Sequence, residues 1–278
     1  MTSYLRPTAL SDALSALAEG GRTIVAGGTD FYPARVGRPL DENILDVTAI
    51  EGLRAIENKD DHYLIGATAT WTDLIRADLP DWFRAMKLAA REVGGVQIQN
   101  AGTIVGNVCN ASPAADGAPG LFALDASVRL ASVSGERDLP IADFILGNRQ
   151  TARKADEMVI GLRIPKCGNN AKGAFLKLGA RKYLVISIVM VSAILEKGMD
   201  GNVDRCRIAV GSCSAVASRL LSLEADLTGK PADATLVDIV TADHLATLSP
   251  IGDVRGSADY RRDAALTLVR RALAELTE

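Results

Sequence analysis

The amino-acid sequence predicts an α+β protein of more than one domain, and three patterns support that prediction. β-Branched runs stop at glycine turns, as at residues 23–28, which is typical of strands that lead into loops. Apolar residues at helical spacing separate these runs. Short polar turns join neighbouring strand patterns at 53–65 and 127–140, which indicates hairpins. With 278 residues the chain is long enough for two domains of ordinary size.

The first 52 residues predict a small βαβ-type subdomain. A helix over residues 11–19 begins at Ser11, which is the predicted N-cap. A strand at 23–26, a glycine turn, a further helix and a strand at 43–47 follow.

Residues 53–168 predict a second subdomain, which opens with a hairpin. The sequence Thr-Trp-Thr-Asp at 70–73 is close to a capping box and predicts a helix start. The other predicted elements are helices at 80–93 and 113–124 with a loop between them, the hairpin at 127–140, and a strand at 158–164 that ends at Pro165.

A C-terminal domain is predicted at 169–278, because Cys167-Gly168-Asn169-Asn170 is short, polar and typical of a linker. The first domain is then 1–168, with subdomains of about 1–52 and 53–168. The C-terminal domain is predicted to be a three-stranded antiparallel sheet with helices, comprising strands at 171–178, 189–195 and 203–211 and helices at 218–226, 236–244 and 258–276.

Composition excludes several classes of function. A net charge of −3 argues against a nucleic-acid partner, because no basic excess is available to neutralise phosphates. The longest apolar run, 183–195, is well short of the roughly 20 residues that span a bilayer. The N-terminus lacks the features of a signal peptide, so a cytoplasmic location is expected. The four cysteines are scattered, so no iron–sulfur or zinc site is expected on this chain, and a packing role is expected for each, including Cys109.

The stretch 100–116 is interpreted as a loop that holds a ligand. Gly102 and Gly106 allow backbone amides to approach a bulky group, and converging amides favour an anion. Thr103, Asn107, Asn110 and Ser112 add polar side chains that can hydrogen-bond to a ligand. Asp116 would repel an anion and is therefore expected at the other end of the ligand.

A second glycine turn, Gly27-Gly28-Thr29-Asp30, ends the strand at 23–26 and precedes a predicted helix. A turn of this kind at a helix N-terminus is suited to phosphate, because free N–H groups and the positive end of the helix dipole converge there. The alternative, an ordinary tight turn, stays open for this motif alone. Two such motifs together suggest a ligand with two phosphates.

These motifs resemble the FAD-binding medium subunit of the molybdenum hydroxylases, the family of xanthine dehydrogenase and aerobic carbon monoxide dehydrogenase. The resemblance extends along nearly the whole chain and implies a fold like that of vanillyl-alcohol oxidase for the first domain. It rests on Ala26-Gly27-Gly28-Thr29-Asp30, Thr103-Ile104-Val105-Gly106-Asn107, Asn110-Ala111-Ser112-Pro113 with Asp116, Phe175-Leu176-Lys177 with Arg181, and Ile186-Ser187-Ile188-Val189.

The resemblance implies an FAD site in which no residue is catalytic and none binds a metal. Ile160, Lys177 and Ile186 match positions that line the flavin, although each could instead be a core residue or, for Lys177, a solvated one. Asp30 is either an acid at a helix N-terminus or an acceptor for a flavin hydroxyl. The implied cofactor-binding residues are Val25, Ala26, Gly27, Gly28, Thr29, Asp30, Phe31, Thr103, Gly106, Asn107, Asn110, Asp116, Ile160, Lys177 and Ile186.

The function implied by the resemblance is electron transfer within a complex. A large molybdopterin subunit and a small [2Fe-2S] subunit would be the partners in a dimer of heterotrimers, and FAD would deliver electrons to NAD, oxygen or a quinone. Two alternatives are a self-sufficient FAD-dependent reductase and a noncatalytic dinucleotide-binding assembly subunit. Val105 favours the latter, because the family usually has glycine there and a positive φ would strain a β-branched residue.

Overall fold

The computed structural model describes residues 2–278 and opens with a parallel three-stranded sheet. Its strands lie in the order β1-β3-β2, and the helix α1 packs on the sheet through Ala13, Leu14 and Leu17. The N-cap of α1 is Ala9, without a side-chain hydrogen bond, so the prediction of Ser11 as the cap was wrong. The elements are β1 (Tyr4–Leu5), α1 (Leu10–Ala18), β2 (Arg22–Val25) and β3 (Asn43–Asp46).

The segment between β2 and β3 does not contain the predicted α-helix. Only a 3-10 helix of three residues, Pro33–Arg35, forms there. Gly37, with φ +79°, ends the helical path two residues after Arg35. The unit is therefore two parallel strands joined by a mostly irregular crossover.

A five-stranded antiparallel sheet forms the centre of the next region, with strand order β4-β5-β10-β6-β7. Both predicted hairpins are present, as β4–β5 and β6–β7. A separate short hairpin, β8–β9, lies beside the sheet. The strands are β4 (Ile56–Asn58), β5 (His62–Gly66), β6 (Ser127–Ser132), β7 (Gly135–Pro140), β8 (Ile145–Gly147), β9 (Gln150–Thr151) and β10 (Met158–Pro165).

Six helices accompany this sheet. The predicted capping box is confirmed, because the Thr70 side chain accepts from the Asp73 N–H and the Asp73 side chain accepts from the Thr70 N–H. The helices are α2 (Trp71–Arg76), α3 (Arg84–Glu92), α4 (Val96–Ala101), α5 (Ile104–Asn110), α6 (Gly117–Ala123) and α7 (Ile141–Phe144).

The stretch 100–116 is largely helical, so its interpretation as a loop was wrong. Helix α5 occupies its centre, and α4 ends inside it. The reason is tertiary packing, since Ile104, Val105 and Val108 lie on one face of α5 and are buried in the main core. What the sequence offered as a ligand-binding loop is instead the capped start of a helix.

The C-terminal region is an antiparallel sheet covered by helices, as predicted, with a fourth strand of two residues added at β14. Helix α10 packs on β11 and β12, while α3 and α6 contact this sheet from the first domain. The predicted helix at 236–244 is two short pieces, α9 and a 3-10 helix. The elements are β11 (Ala171–Leu178), β12 (Val189–Lys197), β13 (Val203–Gly211), β14 (Ser218–Arg219), α8 (Leu221–Leu227), α9 (Leu236–Ile239) and α10 (Ala258–Thr277).

Two large cores confirm the predicted fold class of a two-part α+β protein. The first is buried between the five-stranded sheet and its helices and takes in Phe175 and Met190 from the C-terminal sheet, while the second lies between that sheet and α10. The boundary near residue 169 stays a prediction, which the end of β10 at Pro165 and the start of β11 at Ala171 support. Between residues 2 and 278 no helix has both the length and the apolar character to cross a membrane.

Candidate functional site

A cleft of about 860 Å³ lies between the turn after β2 and helix α5. Its volume is within the range of about 300–1,000 Å³ that ligand sites occupy. All the predicted site residues except Ile160 and Lys177 line it, so the two glycine motifs face one shared space.

Gly27 brings the two walls of the cleft together. A Cβ added there would lie 2.0 Å from the carbonyl oxygen of Ala101, directly before the segment that starts α5. Gly28 has φ +66°, a conformation that glycine adopts without strain. The two glycines therefore have different tasks, close backbone contact at Gly27 and a left-handed turn at Gly28.

The second wall is the N-terminus of α5, which is ordered by its cap. The Thr103 hydroxyl accepts a hydrogen bond of 2.9 Å from the Gly106 N–H. The Ile104 N–H donates to the Ala69 carbonyl at 3.1 Å. These amides are satisfied within the protein, so Gly106 does not offer the free N–H that its sequence context suggests. A Cβ on Gly106 would lie 2.6 Å from Thr103 Oγ1, which makes glycine necessary for the cap.

Val105 is not strained. It lies inside α5, it is absent from the non-glycine residues with positive φ, and its side chain is buried in the main core. The condition under which the sequence predicted strain, a positive φ at Val105, is therefore not met. Backbone strain at Val105 was the feature that favoured a noncatalytic assembly subunit, and the structure does not contain it.

We define the rim of the cleft as Asp30, Asn110 and Arg149. These three polar side chains are linked in series by hydrogen bonds. The Asn110 amide donates to Asp30 at 2.6 Å, and the Arg149 guanidinium donates to the Asn110 carbonyl oxygen. Asp30 is therefore a hydrogen-bond acceptor across the cleft. Arg149 was missed by sequence reasoning, because it lies 39 residues beyond its partner Asn110 in the two-residue turn of the β8–β9 hairpin.

A second polar cluster, which we call the buried end, is Asp116, Lys177 and Ser187, of which Asp116 lines the cleft. Lys177 Nζ lies 2.8 Å from an Asp116 oxygen, and the Ser187 hydroxyl donates to the other oxygen at 2.6 Å. The Lys177 ammonium also donates to the Glu92 carbonyl at 3.3 Å. Burial raises the pKa of Asp116, and the neighbouring Lys177 opposes that rise.

The three residues matched to the flavin occupy different surroundings. Ile186 lines the cleft with 54% of its surface exposed. Ile160 packs against the core of the N-terminal sheet, and its neighbour Val159 lines the cleft instead. The side chain of Lys177 is only 5% exposed, so it is not a solvated strand residue. It does not line the cleft itself, but its ammonium contacts Asp116, which does.

The chemistry of the chain's own side chains is limited. Burial raises the pKa of the Cys109 thiol to about 12, so this cleft residue stays protonated at neutral pH and is a poor nucleophile. No group of three or more His, Cys, Asp or Glu side chains suited to a metal is found across residues 2–278.

The cleft suits an elongated dinucleotide such as FAD. It joins a polar rim, a glycine turn, a capped helix start and an apolar region that includes Val159, Val185 and Ile186. Asn107 lines it as well, and its buried carbonyl oxygen has no hydrogen-bond partner within residues 2–278, so a ligand donor would satisfy it.

Comparisons with known proteins show the family to which the chain belongs. Residues 1–167 match the family model of the FAD-binding domain in molybdopterin dehydrogenase, and residues 174–276 match that of the CO dehydrogenase flavoprotein C-terminal domain. The chain is 29% identical to the glyceraldehyde dehydrogenase medium chain of Sulfolobus acidocaldarius, over 99% of this chain and 98% of that one. It is 29% identical to the carbon monoxide dehydrogenase medium chain of Hydrogenophaga pseudoflava, over 97% and 95%.

Among solved structures, a chain of the reconstituted CO dehydrogenase from Oligotropha carboxidovorans superposes with a TM-score of 0.91 at 26% identity, covering 100% of this chain and 98% of that one. The family models together account for nearly all of the sequence, which confirms the resemblance seen in its motifs. The chain therefore belongs to the family of FAD-binding medium subunits of the molybdenum hydroxylases and is an FAD-dependent oxidoreductase subunit.

Proposed function

We propose that this subunit holds FAD in the cleft, with the diphosphate between residues 27–30 and 103–106, and transfers electrons from the iron–sulfur clusters of a partner subunit to an external acceptor. The observation that supports this most is the shared cleft, because motifs more than 70 residues apart in sequence line one space of dinucleotide size. When bound, FAD supplies the ability to accept and release electrons one or two at a time.

The chain's own contribution is to position the cofactor. Gly28 and Gly27 let the backbone turn and pack tightly beside the diphosphate, and the dipole of the Thr103-capped helix start favours negative charge there. The hydroxyl of Thr29 and the amide of Asn107 add hydrogen bonds, since both line the cleft.

The buried end would receive the ribityl chain and the flavin ring. Ile186 is the apolar surface on which the ring packs, and Asp116 accepts from a ligand hydroxyl. Lys177 acts as a positioning residue, because it holds the Asp116 carboxylate at 2.8 Å and balances its charge without lining the cleft.

The partners are inferred from chemistry and from relatives. The family resemblance implies that the clusters that donate electrons lie on a partner chain, and no candidate metal cluster is found among residues 2–278. Relatives carry the names of a medium chain of carbon monoxide dehydrogenase and of a subunit of a 6-hydroxypseudooxynicotine dehydrogenase complex. We therefore assign a small iron–sulfur partner and a large molybdopterin partner, in a dimer of heterotrimers, with NAD, oxygen or a quinone as acceptor.

The test has two parts, FAD binding by the purified full chain and reduction in the purified complex. We expect one FAD per chain, copurification with iron-bearing and molybdenum-bearing chains, and flavin bleaching by the complex's substrate only when all three chains are present. A chain that binds no FAD, or whose flavin is reduced equally fast by a substrate without partners, would contradict it. The second result would instead favour the self-sufficient reductase.

A further inference from the structure

We propose that Arg149 clamps a phosphate of the bound FAD from the rim of the cleft and is held ready for it by Asn110. This inference rests on the proposed function, since it assigns a further binding residue to the same site. Arg149 is a cation that lies outside both glycine motifs and was not among the predicted site residues.

The backbone of Arg149 points to a role beyond the hairpin itself. It occupies the second position of a two-residue turn between Gly147 and Gln150, with φ +59°, where glycine is the residue without strain. Its N–H donates to the Ala111 carbonyl at 2.9 Å, which ties the turn to the end of α5. A residue kept in this conformation at conformational cost is a candidate for a functional role.

The side chain is held at the rim of the cleft by a second contact. Its guanidinium donates to the carbonyl oxygen of Asn110, and the Asn110 amide is fixed in turn by Asp30 at 2.6 Å. Asn110 therefore holds the exposed guanidinium at the rim of the cleft. The turn at residues 27–30 and the helix α5 are the elements that meet at this point.

The charges of the cleft leave Arg149 as the cation available to a diphosphate. Four ionisable Asp and Arg side chains line it, namely Asp30, Arg35, Asp116 and Arg149. Arg35 is bound by both oxygens of Glu42, at 2.7 and 2.5 Å, and lies over the Phe31 ring. Arg149 makes no ion pair with any carboxylate of residues 2–278, and its planar fork of donors matches phosphate oxygens.

The experiment measures FAD affinity and the melting temperature of the FAD-free full chain for wild type, R149G and R149Q. Loss of a charge-assisted contact is expected to weaken FAD binding about tenfold to a hundredfold in both variants. Because glycine relieves the left-handed turn, the melting temperature of FAD-free R149G is expected to be unchanged or higher by up to about 4 °C. The ratio of wild-type to R149Q affinity is expected to fall as salt is raised, since the contact is ionic and exposed.

R38Q is the matched control, because it neutralises an exposed arginine in the segment after the first glycine turn that does not line the cleft. It is expected to change FAD affinity less than twofold. Wild-type affinity retained in R149G and R149Q would overturn the inference, as would a penalty independent of salt or a melting temperature of R149G that falls together with affinity. Wild-type protein that binds no FAD would instead refute the proposed function.

Discussion

The rim and the buried end use the same kinds of group in opposite settings. At the buried end, a carboxylate and an ammonium lie 2.8 Å apart, with side chains 12% and 5% exposed. At the rim, a carboxylate and a guanidinium are joined through an amide and both are exposed. Removing one member of a buried pair leaves an uncompensated charge, whereas exposed charges are solvated and screened. The buried end should therefore govern stability, and the rim should govern ligand affinity.

The largest effect is expected at the buried end. K177M leaves Asp116 without its cation and should lower the free energy of unfolding by about 3–5 kcal/mol. Chemical denaturation of the FAD-free chain measures this. The matched variant D116N/K177M removes both charges and should recover most of the loss, so an equal loss in the single and double variants would contradict a charge effect.

The same pair predicts a dependence on pH. The pKa of Asp116 is raised above its ordinary value of 3.8 by burial, so the folded protein binds this proton more tightly than the unfolded chain does. Stability contributed by the group is present at low pH and is lost as pH rises through the interval between 3.8 and the raised pKa. Without Lys177 the pKa rises further, so the K177M penalty should shrink as pH is lowered. A penalty that grows on acidification would contradict this.

The next effect is expected where the two walls meet. G27A places a methyl group against the carbonyl oxygen of Ala101 and should cost about 1–3 kcal/mol while greatly weakening FAD binding. Thermal unfolding and FAD titration measure both quantities. G252A is the control, since a Cβ there meets no atom nearer than 3.8 Å. Full FAD affinity in G27A would show that the turn at Gly27 is not part of the FAD site.

A smaller effect is expected at the start of α5. T103A removes the hydroxyl that caps the Gly106 N–H and should cost about 1 kcal/mol, with less than a tenfold loss of FAD affinity. T103S keeps the cap and should behave almost as wild type. Equal destabilisation in both variants would show that the methyl group, not the cap, matters.

The smallest effect on stability is expected at the rim. D30N retains an acceptor for the Asn110 amide and removes an exposed charge, so the free energy of unfolding should change by no more than about 0.5 kcal/mol. Thermal unfolding of the FAD-free chain measures it. A decrease of more than about 2 kcal/mol in the free energy of unfolding would contradict the expected difference in stability between the rim and the buried end.

Features set by local sequence were predicted well. The capping box at 70–73 and the hairpins predicted at 53–65 and 127–140 depend on neighbouring residues, and the structure contains them, the first as β4–β5 over 56–66. Helix α5 was missed because glycine, asparagine and β-branched residues have modest helix propensity. The burial of Ile104, Val105 and Val108 on one face overrides it, and their spacing was the signal available in the sequence.

The parts of the site that could not be predicted are those made by distant residues. Lys177 is 61 residues from Asp116, and the charge of an isolated lysine on a strand does not reveal its partner. Arg149 lies in a hairpin whose position beside α5 depends on the whole fold. Gly27 was recognised as a turn glycine, but its contact with Ala101 was visible only once the two segments were placed together.

The most direct test of the central claim is a crystal structure of the full chain with FAD. We expect the diphosphate between residues 27–30 and 103–106, with the flavin ring beside Ile186. A diphosphate that contacts neither of the two segments would contradict it.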